Sequence, residues 1–574
     1  MKNTLFISIC IMLFFSANGC SDTSFGNDLW DNVTSSKITS DKQITSFSIN
    51  GYKARISGTT VKSFLPLGTS VTALAPVITY NGAAISPESG VVQDFTNPVT
   101  YTVTATDGTT AVYTVSVTVL TAAEMSNANL FVLKVKKGKL QPALNDSIKD
   151  YLDAPIPFSD SANPAYNDKQ SNSLIADPEI LIATMTMELE SNGKVSVENA
   201  TEHVFPEIEV GPNKVTIIVT AADKKTTKKY NLNMYRAIPI FKTGAGKISG
   251  YDLNNYEDGA TQRGVSWPNP RFHRLSTSIS DGGVDNKETY IRDLLTGLFW
   301  LEGTTKDTIN WSETKNYDNA VKDTCGIQAI SEKWRLPNIQ EMRSIANYGS
   351  IDDNNLNGFF DNYHISNTYW TSTVDMGNTG YGFNFNFQNN SAFSVNRYDR
   401  YSFLAVRNQS KVLPKTGQTY SAIDGSDGYF QKGVTWPTPR FYTDESGAVV
   451  DNMTSLMWFS DFIEPVLSGS TDKWGQSMTY ISNKINSGIP KNYGYTDWTL
   501  PNINEIESLT NYEYESLDWL KSFITYQNRY LWTSTSSSAS YAYSFIPSSQ
   551  KIEITDKDTF NYILPVRQAK IINY

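Results

Sequence analysis

Histidine and cysteine, the side chains that most often act as bases and nucleophiles at neutral pH, are scarce in this chain of 574 residues. Each type occurs three times, at His203, His273, His364, Cys10, Cys20 and Cys325. The sequence lacks the spacings of a serine nucleophile elbow, a zinc protease, a phosphate-binding loop and a CxxC motif. Carboxylates are plentiful, yet no two of them stand out as an acid and base pair. We therefore predict no catalytic residues, no cofactor and no enzyme activity.

One stretch has the opening pattern of a calcium-binding loop. DNNLNG at 353–358 places oxygen-bearing side chains at alternate positions, as such a loop requires. The twelfth position holds His364 instead of the bidentate glutamate that the ion needs, and no helix pattern precedes the stretch. We interpret it as an Asn-rich turn and predict no metal site.

The chain contains one fifteen-residue phrase twice, as WRLPNIQEMRSIANY at 334–348 and WTLPNINEIESLTNY at 498–512. In both, Asn follows Leu-Pro and Glu comes three residues later, which predicts a helix start with a capping box. The apolar residues that follow recur at helical spacing on one face. Capping accounts for Glu341 and Glu505, so we favour it over acid–base catalysis by these side chains.

Further matches show that the second half of the chain is a duplication. DGATQRGVSWPNPRF (258–272) returns as DGYFQKGVTWPTPRF (427–441), and YWTST (369–373) returns as LWTST (531–535). We predict two tandem copies of one domain, 238–410 and 411–574. Ten of the twelve tryptophans fall in matched pairs: 267/436, 300/458, 311/474, 334/498 and 370/532. Rings at fixed places in a fold without disulfides indicate core anchors, with one ligand-stacking pair as the alternative.

Two arginine pairs also recur between the copies and are predicted to form interior salt links. They are Arg271/Arg440 and Arg407/Arg567, and the aspartates that match between the copies are Asp258/Asp427 and Asp293/Asp451. We predict pairing with either of these aspartate sets rather than anion binding.

The segment before the duplication has strand-like alternation. VTYTVTATDGTTAVYTVSVTV (99–119) is two alternating runs around Asp107-Gly108, a strong hairpin pattern, and a second hairpin is predicted around Ala222-Asp223-Lys224. We predict an immunoglobulin-like β-sandwich at 43–121 and a cadherin-like β-sandwich at 125–237. These segments resemble the bacterial immunoglobulin-like and cadherin-like modules of exported proteins, whose usual role is spacing.

The N-terminus has the layout of a secretory signal. MKNTLFISICIMLFFSANGC combines Lys2, a short apolar run and small residues before Cys20. The small residues resemble a bacterial lipoprotein processing site, in which the cysteine becomes lipidated. We predict a signal peptide at 1–20, lipid attachment at Cys20 and a flexible tether at 21–42, with ordinary secretion as the alternative. The protein would then be anchored to the cell envelope, surface-exposed on the outer membrane.

The bulk charge argues against nucleic acid as a partner. The net charge is −10 and the isoelectric point is near 5.1, and no run of Lys and Arg forms a basic tract. Cys325 is the one cysteine beyond Cys20, so no internal disulfide is available to the mature chain. Whether Cys325 is buried or reactive stays open.

The ordered set DGxxQ[KR]GVxWPxPRF, W[RT]LPNxxE and WTST, followed by a terminal Val-Arg, resembles the Lcl C-terminal domain family. The resemblance covers both copies. It implies an exported bacterial protein and a C-type lectin-like α+β fold, and the family takes its name from an adhesin associated with sulfated glycans and host surfaces. Many relatives carry a cysteine near the end, where this chain has LAVR (404–407) and LPVR (564–567). The expected fold class is thus two all-β sandwiches followed by two α+β C-type lectin-like domains.

The ligand-contact residues are predicted at an exposed turn of copy 1. In GYGFNFNFQNNSAFSVNRYDRY (380–401) aromatic residues alternate with Asn, which predicts a strand with an aromatic core face followed by an exposed segment at 388–398. The candidate contacts are Asn389, Asn390, Ser391, Asn396, Arg397 and Tyr398.

We predict a surface-exposed lipoprotein that binds glycans or extracellular matrix and host proteins non-covalently, as an adhesin does. Its membrane contact would be through the N-terminal lipid alone. The alternatives are a structural cell-envelope protein that binds neighbouring surface components and a glycan-processing enzyme.

Overall fold

The computed structural model of the protein shows a multidomain chain built mostly of β-sheets with few helices. It describes residues 40–135, 140–141, 150–153, 170–179, 181, 183–189, 193–197, 202–246, 256–281, 284–302, 308–311, 313, 334–349, 356, 359–360, 367–421, 425–467, 469, 471–525 and 527–569. The predicted signal peptide with Cys20, the tether up to residue 39, Cys325, the calcium-like stretch apart from Leu356, and His364 lie outside the described residues. The chain divides into two compact units, of which the second holds Phe64–Thr69 and everything from Val119.

The first unit forms a three-stranded and a five-stranded sheet, ordered β2-β1-β5 and β3-β4-β8-β7-β6. The strands are β1 (Gln43–Ile49), β2 (Tyr52–Lys53), β3 (Arg55–Ser57), β4 (Thr60–Leu65), β5 (Val77–Asn81), β6 (Ala84–Ser86), β7 (Val99–Thr104) and β8 (Thr110–Val119). Phe47 and Tyr101 pack edge to face in its core. The hairpin predicted at Asp107-Gly108 is confirmed, because β7 and β8 pair antiparallel around it and Gly108 has φ +82°.

The next segment, at the start of the second unit, also consists of two sheets, ordered β10-β11-β17-β16-β13-β14 and β15-β12-β9. Its elements are α1 (Ala122–Met125), β9 (Leu130–Val135), β10 (Leu140–Gln141), β11 (Asp150–Asp153), β12 (Gln170–Pro178), β13 (Thr184–Leu189), β14 (Gly193–Val197), β15 (Glu202–Ile208), β16 (Gly211–Thr220) and β17 (Thr227–Arg236). Alternate residues of β16, from Val215 to Val219, are buried in its core. The predicted turn at Ala222-Asp223-Lys224 joins β16 to β17, so that prediction is confirmed.

Copy 1 of the duplication pairs its strands in the orders β18-β19-β20-β26 and β21-β25-β22-β23-β24. Its elements are α2 (Asp258–Thr261), β18 (Phe272–Asp281), β19 (Val284–Asp293), β20 (Phe299–Leu301), β21 (Ile309–Asn310), α3 (Ile339–Ser344), β22 (Thr368–Val374), β23 (Tyr381–Asn386), β24 (Ser391–Asn396), β25 (Arg400–Phe403) and β26 (Val406–Arg407).

Copy 2 repeats this arrangement with the sheets β27-β28-β29-β33 and β30-β31-β32. Its elements are α4 (Asp427–Phe430), β27 (Phe441–Thr443), β28 (Val449–Asp451), β29 (Leu456–Trp458), α5 (Lys473–Tyr480), a π-helix (Ile481–Ile485), α6 (Ile503–Glu507), a 3-10 helix (Leu517–Leu520), β30 (Leu531–Ser536), β31 (Tyr541–Ile546), β32 (Lys551–Asp556) and β33 (Val566–Gln568). Among the helices that the structure describes, none has the length and apolar character needed to cross a membrane.

The repeated phrase begins a packed helix in both copies, as predicted. In α6 the Glu505 amide donates to Asn502 Oδ1 at 2.9 Å and the Asn502 amide donates to Glu505 Oε2 at 2.7 Å, which completes the capping box. The same pair of bonds, both 2.9 Å, joins Asn338 and Glu341 at the start of α3. The glutamates therefore have a structural role in each copy.

Replacing the cap residue by Asn502→Ala should lower the free energy of unfolding by about 1 kcal/mol, because one early amide of α6 loses its acceptor. Urea unfolding followed by tryptophan fluorescence measures the change. Gln527→Ala, at an exposed loop position of the same copy, is the control and should leave the midpoint unchanged. Equal midpoints for the two variants would show that the cap contributes nothing.

Most of the matched tryptophans are core anchors. Eight of the ten are buried, namely Trp300, Trp311, Trp334, Trp370, Trp458, Trp474, Trp498 and Trp532. The remaining pair, Trp267 and Trp436, is half-buried, and each indole N–H donates to a backbone oxygen of a neighbouring lysine at 2.9 and 2.8 Å. The core prediction is thus confirmed for four of the five pairs.

One of the two recurring arginine pairs, Arg271/Arg440, has the predicted aspartate partners. Arg271 Nη2 lies 2.8 Å from Asp293 Oδ2, and Arg440 Nη2 lies 3.1 Å from Asp451 Oδ2. Asp258 and Asp427 do not pair with these arginines, because both aspartates accept from threonine hydroxyls instead.

The other recurring pair also departs from the prediction. Arg567 pairs with Asp497, with Nε 2.6 Å from Oδ1, and its copy 1 counterpart Arg407 stacks over Trp334 with 4.8 Å between the guanidinium carbon and the ring centroid.

Candidate functional site where the two copies meet

Each copy is completed by a segment of the other. We call residues 238–246 and 256–262 the arm of copy 1 and residues 411–421 and 425–431 the arm of copy 2. Asp258 in the first arm accepts from Thr535 Oγ1 of copy 2 at 2.8 Å. Asp427 in the second arm accepts from Thr373 Oγ1 of copy 1 at 3.1 Å. Correspondingly, α2 packs on β30 and α4 packs on β22.

Other contacts repeat this reciprocity and unite the copies. Tyr348 of copy 1 packs edge to face on Tyr543 of copy 2 at 5.3 Å between centroids. The equivalent contact joins Tyr512 of copy 2 to Phe383 of copy 1 at 5.4 Å. These rings belong to one continuous cluster of buried apolar residues that spans both copies. Any site at this junction is therefore built on a packed, rigid base.

Burial dominates the electrostatics of the junction. It raises the pKa of Asp427 to about 6, although the hydroxyls of Thr416 and Thr373 act in the opposite direction. Burial also raises the pKa of Asp258 above its usual range. It raises the pKa of Glu507 as well, even though Arg343 Nη2 lies 3.0 Å from its Oε1. Because the threonine hydroxyls donate to Asp258 and Asp427, these carboxylates act as structural acceptors between the copies.

A cleft of about 50 Å³ opens at the rim of this junction. We call it the junction cleft, and it is lined by Asp375, Met376, Phe383, Tyr512, Tyr514, Glu515, Ser549, Gln550 and Lys551. Copy 1 supplies the first three residues and copy 2 the others. Tyr512 and Gln550 are buried at its base, whereas Tyr514 is 51 % exposed at its mouth.

The base of the junction cleft is fixed by one buried amide. Gln550 Nε2 donates to Asn511 O at 3.0 Å and to Tyr514 O at 2.5 Å, and Gln550 Oε1 accepts from the Asn511 amide at 2.8 Å. Beside the cleft Gly377 of copy 1 lies against Glu515, and a Cβ at that position would stand 2.8 Å from the Glu515 carboxyl carbon.

The junction cleft presents groups of three kinds to a ligand. Asp375 and Glu515 present acceptor oxygens, Lys551 presents donors, and Tyr514 presents an exposed ring face. A hydroxyl-rich ligand can satisfy all three kinds of group at once. The lining contains neither histidine nor cysteine. Within the described part of the chain, no three His, Cys, Asp or Glu side chains are grouped so that they could hold a metal ion.

Three of the predicted ligand contacts lie at one end of the β23–β24 hairpin. Asn389 and Ser391 are at the surface and hydrogen-bonded to each other, with Ser391 Oγ donating to Asn389 Oδ1 at 2.7 Å. Asn390 is buried, has φ +50° and donates from Nδ2 to Asn347 O at 3.2 Å. Asn390 thus ties the hairpin to the end of the repeated helix.

The other three lie at the opposite end of β24. Arg397 stacks over Trp311 with 5.3 Å between the guanidinium carbon and the ring centroid, and the Trp311 amide donates to Arg397 O at 2.9 Å. Tyr398 is 78 % exposed, and its amide donates to Asn396 Oδ1 at 3.0 Å. The segment 388–398 is therefore not a single exposed turn, because β24 separates its two ends. A six-residue strand spans roughly 17–20 Å.

The lining of the junction cleft includes residues that the sequence reasoning missed. Ser549, Gln550 and Lys551 are the copy 2 equivalents of Asn389, Asn390 and Ser391 by strand pairing. Gln550 has the same buried, positive-φ position as Asn390. The repeat could have revealed these positions, whereas Tyr514 and Glu515 lie just beyond the repeated phrase and carried no pattern.

Family models match three parts of the chain. The model described as Lcl C-terminal domain matches residues 289–407 and again residues 447–567, which include β22 and β30 but not the two arms. The chain contains two Lcl C-terminal domains. Ahead of them, the model described as SGBP, N-terminal matches residues 44–117, and that of a cadherin-like beta sandwich domain matches residues 161–237. The sequence-based recognition of tandem Lcl domains behind β-sandwich modules is thereby confirmed.

Comparison with whole proteins adds little. A "putative glycoside hydrolase" from Bacteroides thetaiotaomicron is 17% identical, with 34% of this chain and 82% of that chain covered and a TM-score of 0.15. SGBP-B of the Bacteroides ovatus mixed-linkage glucan utilization locus, solved with a mixed-linkage heptasaccharide, is 8% identical, with 63% and 99% covered and a TM-score of 0.08. Such low scores support no argument from shape. No curated protein matches the chain.

Proposed function

We propose that this protein is a surface-exposed lipoprotein that binds glycans non-covalently through its Lcl domains, in the manner of an adhesin. The observation that carries the proposal is the junction cleft, which brings carboxylates, an ammonium group and an exposed tyrosine ring together from two copies. Lipidation at Cys20 would hold the chain at the outer membrane, and the β-sandwich modules would act as spacers. We call the two Lcl domains with their arms the heads. In this proposal the two heads have the C-type lectin-like fold and act by binding, without catalysis.

The names of the matched modules support a glycan ligand. The first module matches a model named for SGBP, and SGBP-B is a protein that has been solved with an oligosaccharide. The glycan ligand is therefore supported by the name SGBP, which the matched model and that protein share.

The size of the junction cleft defines how a sugar would bind. Its volume of about 50 Å³ is enough for a few water molecules, because about 10–15 Å³ of cavity volume holds one. A hydroxymethyl or hydroxyl group would therefore enter the cleft between Asp375 and Glu515. The ring would remain at the mouth, where the exposed face of Tyr514 can stack on its C–H groups.

Pre-organisation favours such binding. The Gln550 amide fixes the backbone of Tyr514, and the packed rings of Phe383 and Tyr512 form the floor. Because these groups are already ordered, little conformational entropy is lost when a ligand binds. The site also requires both copies, which gives the duplication a functional reason.

The test is a glycan and matrix-protein array probed with purified residues 40–574, followed by titration of the best ligand. We expect Glu515→Gln and Tyr514→Ala each to weaken glycan binding by about tenfold, through loss of a charged acceptor and of a stacking face. Tyr541→Ala, which removes another exposed tyrosine of copy 2, is the matched control and should bind normally.

Three outcomes would contradict the proposal. Unchanged affinity in the Glu515 and Tyr514 variants would place the ligand elsewhere. Binding limited to cell-envelope components would favour a structural protein. Hydrolysis of an arrayed glycan would favour an enzyme.

A further inference from the structure

The two copies are related by an approximate two-fold axis, because their contacts are reciprocal. The Asn338 side chain donates to Lys432 O at 3.3 Å, and the equivalent Asn502 donates to Arg263 O at 3.5 Å. Arg263 and Lys432 are themselves equivalent residues of the repeated DGxxQ[KR]G motif. A pair of equivalent residues that contact each other must therefore lie on the axis.

Arg343 and Glu507 are such a pair. Both occupy the tenth position of the repeated fifteen-residue phrase, and Arg343 Nη2 lies 3.0 Å from Glu507 Oε1. Their side chains are each only 6% exposed. Arg343 Nη1 also donates to the Tyr512 hydroxyl. On the axis, pairing two identical copies would bring arginine against arginine or glutamate against glutamate, on side chains that a cavity of about 70 Å³ reaches but that are only 6% exposed.

The two copies also differ in which arginine binds the capping-box glutamate. Within copy 1, Arg335 binds Glu341, with Nη1 2.6 Å from Oε2 and Nη2 2.5 Å from Oε1. Copy 2 has Thr499 at the equivalent position, and the guanidinium on Glu505 comes instead from across the axis. Arg263 of copy 1 supplies it, with Nη2 2.6 Å from Glu505 Oε2 and a further bond from Nη1 to Thr499 Oγ1.

These sequence differences disfavour the pairing of two first copies and also the pairing of two second copies. Two copies of the first type would direct Arg263 and Arg335 towards one glutamate. Two copies of the second type would leave Glu505 without either arginine, facing only Lys432, whose point charge lacks the planar fork of a guanidinium. The pairing of unlike copies gives Glu341 and Glu505 one arginine each.

We propose that the charge differences at 335/499 and at 343/507, with Arg263 reaching Glu505 across the axis, select the pairing of unlike copies and exclude pairing of like copies from two chains. The interaction surface of each copy, its arm and the face that receives the other arm, thus has the unlike copy as its specific partner. Because the two unlike copies are parts of one chain, they pair within that chain, although each copy alone presents a surface suited to association.

Single substitutions in the full chain test the selection directly. Arg343→Glu places two glutamates on the axis, as the pairing of two second copies would. Glu507→Arg places two arginines there, as the pairing of two first copies would. Each should lower the Tm of the heads by about 5–10 °C, and the double variant Arg343→Glu with Glu507→Arg should recover most of the loss. Lys521→Glu reverses one charge of the exposed Lys521–Asp518 pair and should shift Tm by no more than about 1 °C.

Light scattering after size exclusion completes the test. Full chains that are unfolded and refolded at high concentration should elute with the mass of one chain. Dimers held together by contacts between like copies would overturn the proposal, as would single variants with the Tm of the original chain. A double variant no more stable than the single ones would also overturn it, because the loss would then not come from charge pairing.

Discussion

A chain that ends at Ser410 should contain a first copy without cooperative tertiary structure. Such a chain retains every strand of copy 1 but lacks the arm of copy 2. Thr373 then loses Asp427, and the amide and carbonyl of Val374 lose the Gln418 side chain that bonds them at 3.0 and 2.8 Å. The Phe383 ring, 8% exposed in the full chain, would meet water instead of Tyr512.

Whether copy 1 stays folded in the shortened chain depends on how much free energy of unfolding it loses. Exposure of each large buried apolar side chain costs about 1.5–3 kcal/mol, and a domain is stable by only about 5–15 kcal/mol in total. Loss of a few such contacts and of the buried hydrogen bonds therefore removes most of the stability of copy 1. Near-ultraviolet circular dichroism and tryptophan fluorescence of residues 40–410 measure this, because copy 1 contains five of the matched indoles.

The control is the same chain extended through residue 431. The extension restores Asp427 and Gln418 but not Tyr512, so we expect partial recovery of the tertiary signal. A chain ending at 410 that unfolds cooperatively at the temperature of the full chain would contradict the expectation, since copy 1 would then need nothing from copy 2.

Sequence alone predicted the features whose causes are local. The helix start at Asn338 and Asn502 depends on residues three positions apart, so the pattern and the structure agree. The two hairpins depend on turn residues between alternating runs. The burial of the matched indoles followed from the size of the rings and from their recurrence.

The exchange of arms could not be predicted in the same way. A repeat shows which residues are equivalent, but equivalent residues give the same pattern whether they contact their own copy or the other one. Asp258 and Asp427 stood out in the repeated motif, yet their threonine partners in the other copy lie 277 and 54 positions away. The replacement of Arg335 by Thr499 beside a retained glutamate was the one clue that a cation reaches copy 2 from elsewhere.

The candidate site was predicted only in part for a similar reason. The composition of residues 388–398 is typical of a turn, but β24 pairs with β23 through the middle of this segment. The strand divides the predicted contacts between two ends of the hairpin. The junction cleft requires residues of both copies, and no pattern within one copy points to it.

Acidification from pH 7 to pH 4.5 should stabilise the heads, with Asp427 as a main cause. Burial raises the pKa of Asp427 from its usual 3.8 to about 6, with Glu341 acting in the same direction and Arg335 against it. Between these two pKa values the folded chain binds a proton that the unfolded chain does not, so the free energy of unfolding rises as pH falls. The shift corresponds to about 3 kcal/mol, gained mostly between pH 6 and pH 4.

Urea unfolding across this pH range, followed by tryptophan fluorescence, measures the effect, since every tryptophan except Trp30 lies in the duplicated half. Asp427→Asn removes the charge, while its amide oxygen can still accept from Thr373 or Thr416. The variant should therefore be more stable than the original chain at pH 7 and should gain less on acidification. Some gain should persist, because burial also raises the pKa of Asp258.

Asp461→Asn is the matched control for this pH dependence. Hydrogen bonds from Lys491 and Ser460 hold the pKa of Asp461 below its usual range despite partial burial, so its stabilising contribution is lost only on further acidification. The control should keep the full gain of the original chain between pH 6 and pH 4.5. If Asp427→Asn kept it too, the protons would bind elsewhere, and the buried carboxylate would not limit the stability of the paired copies at neutral pH.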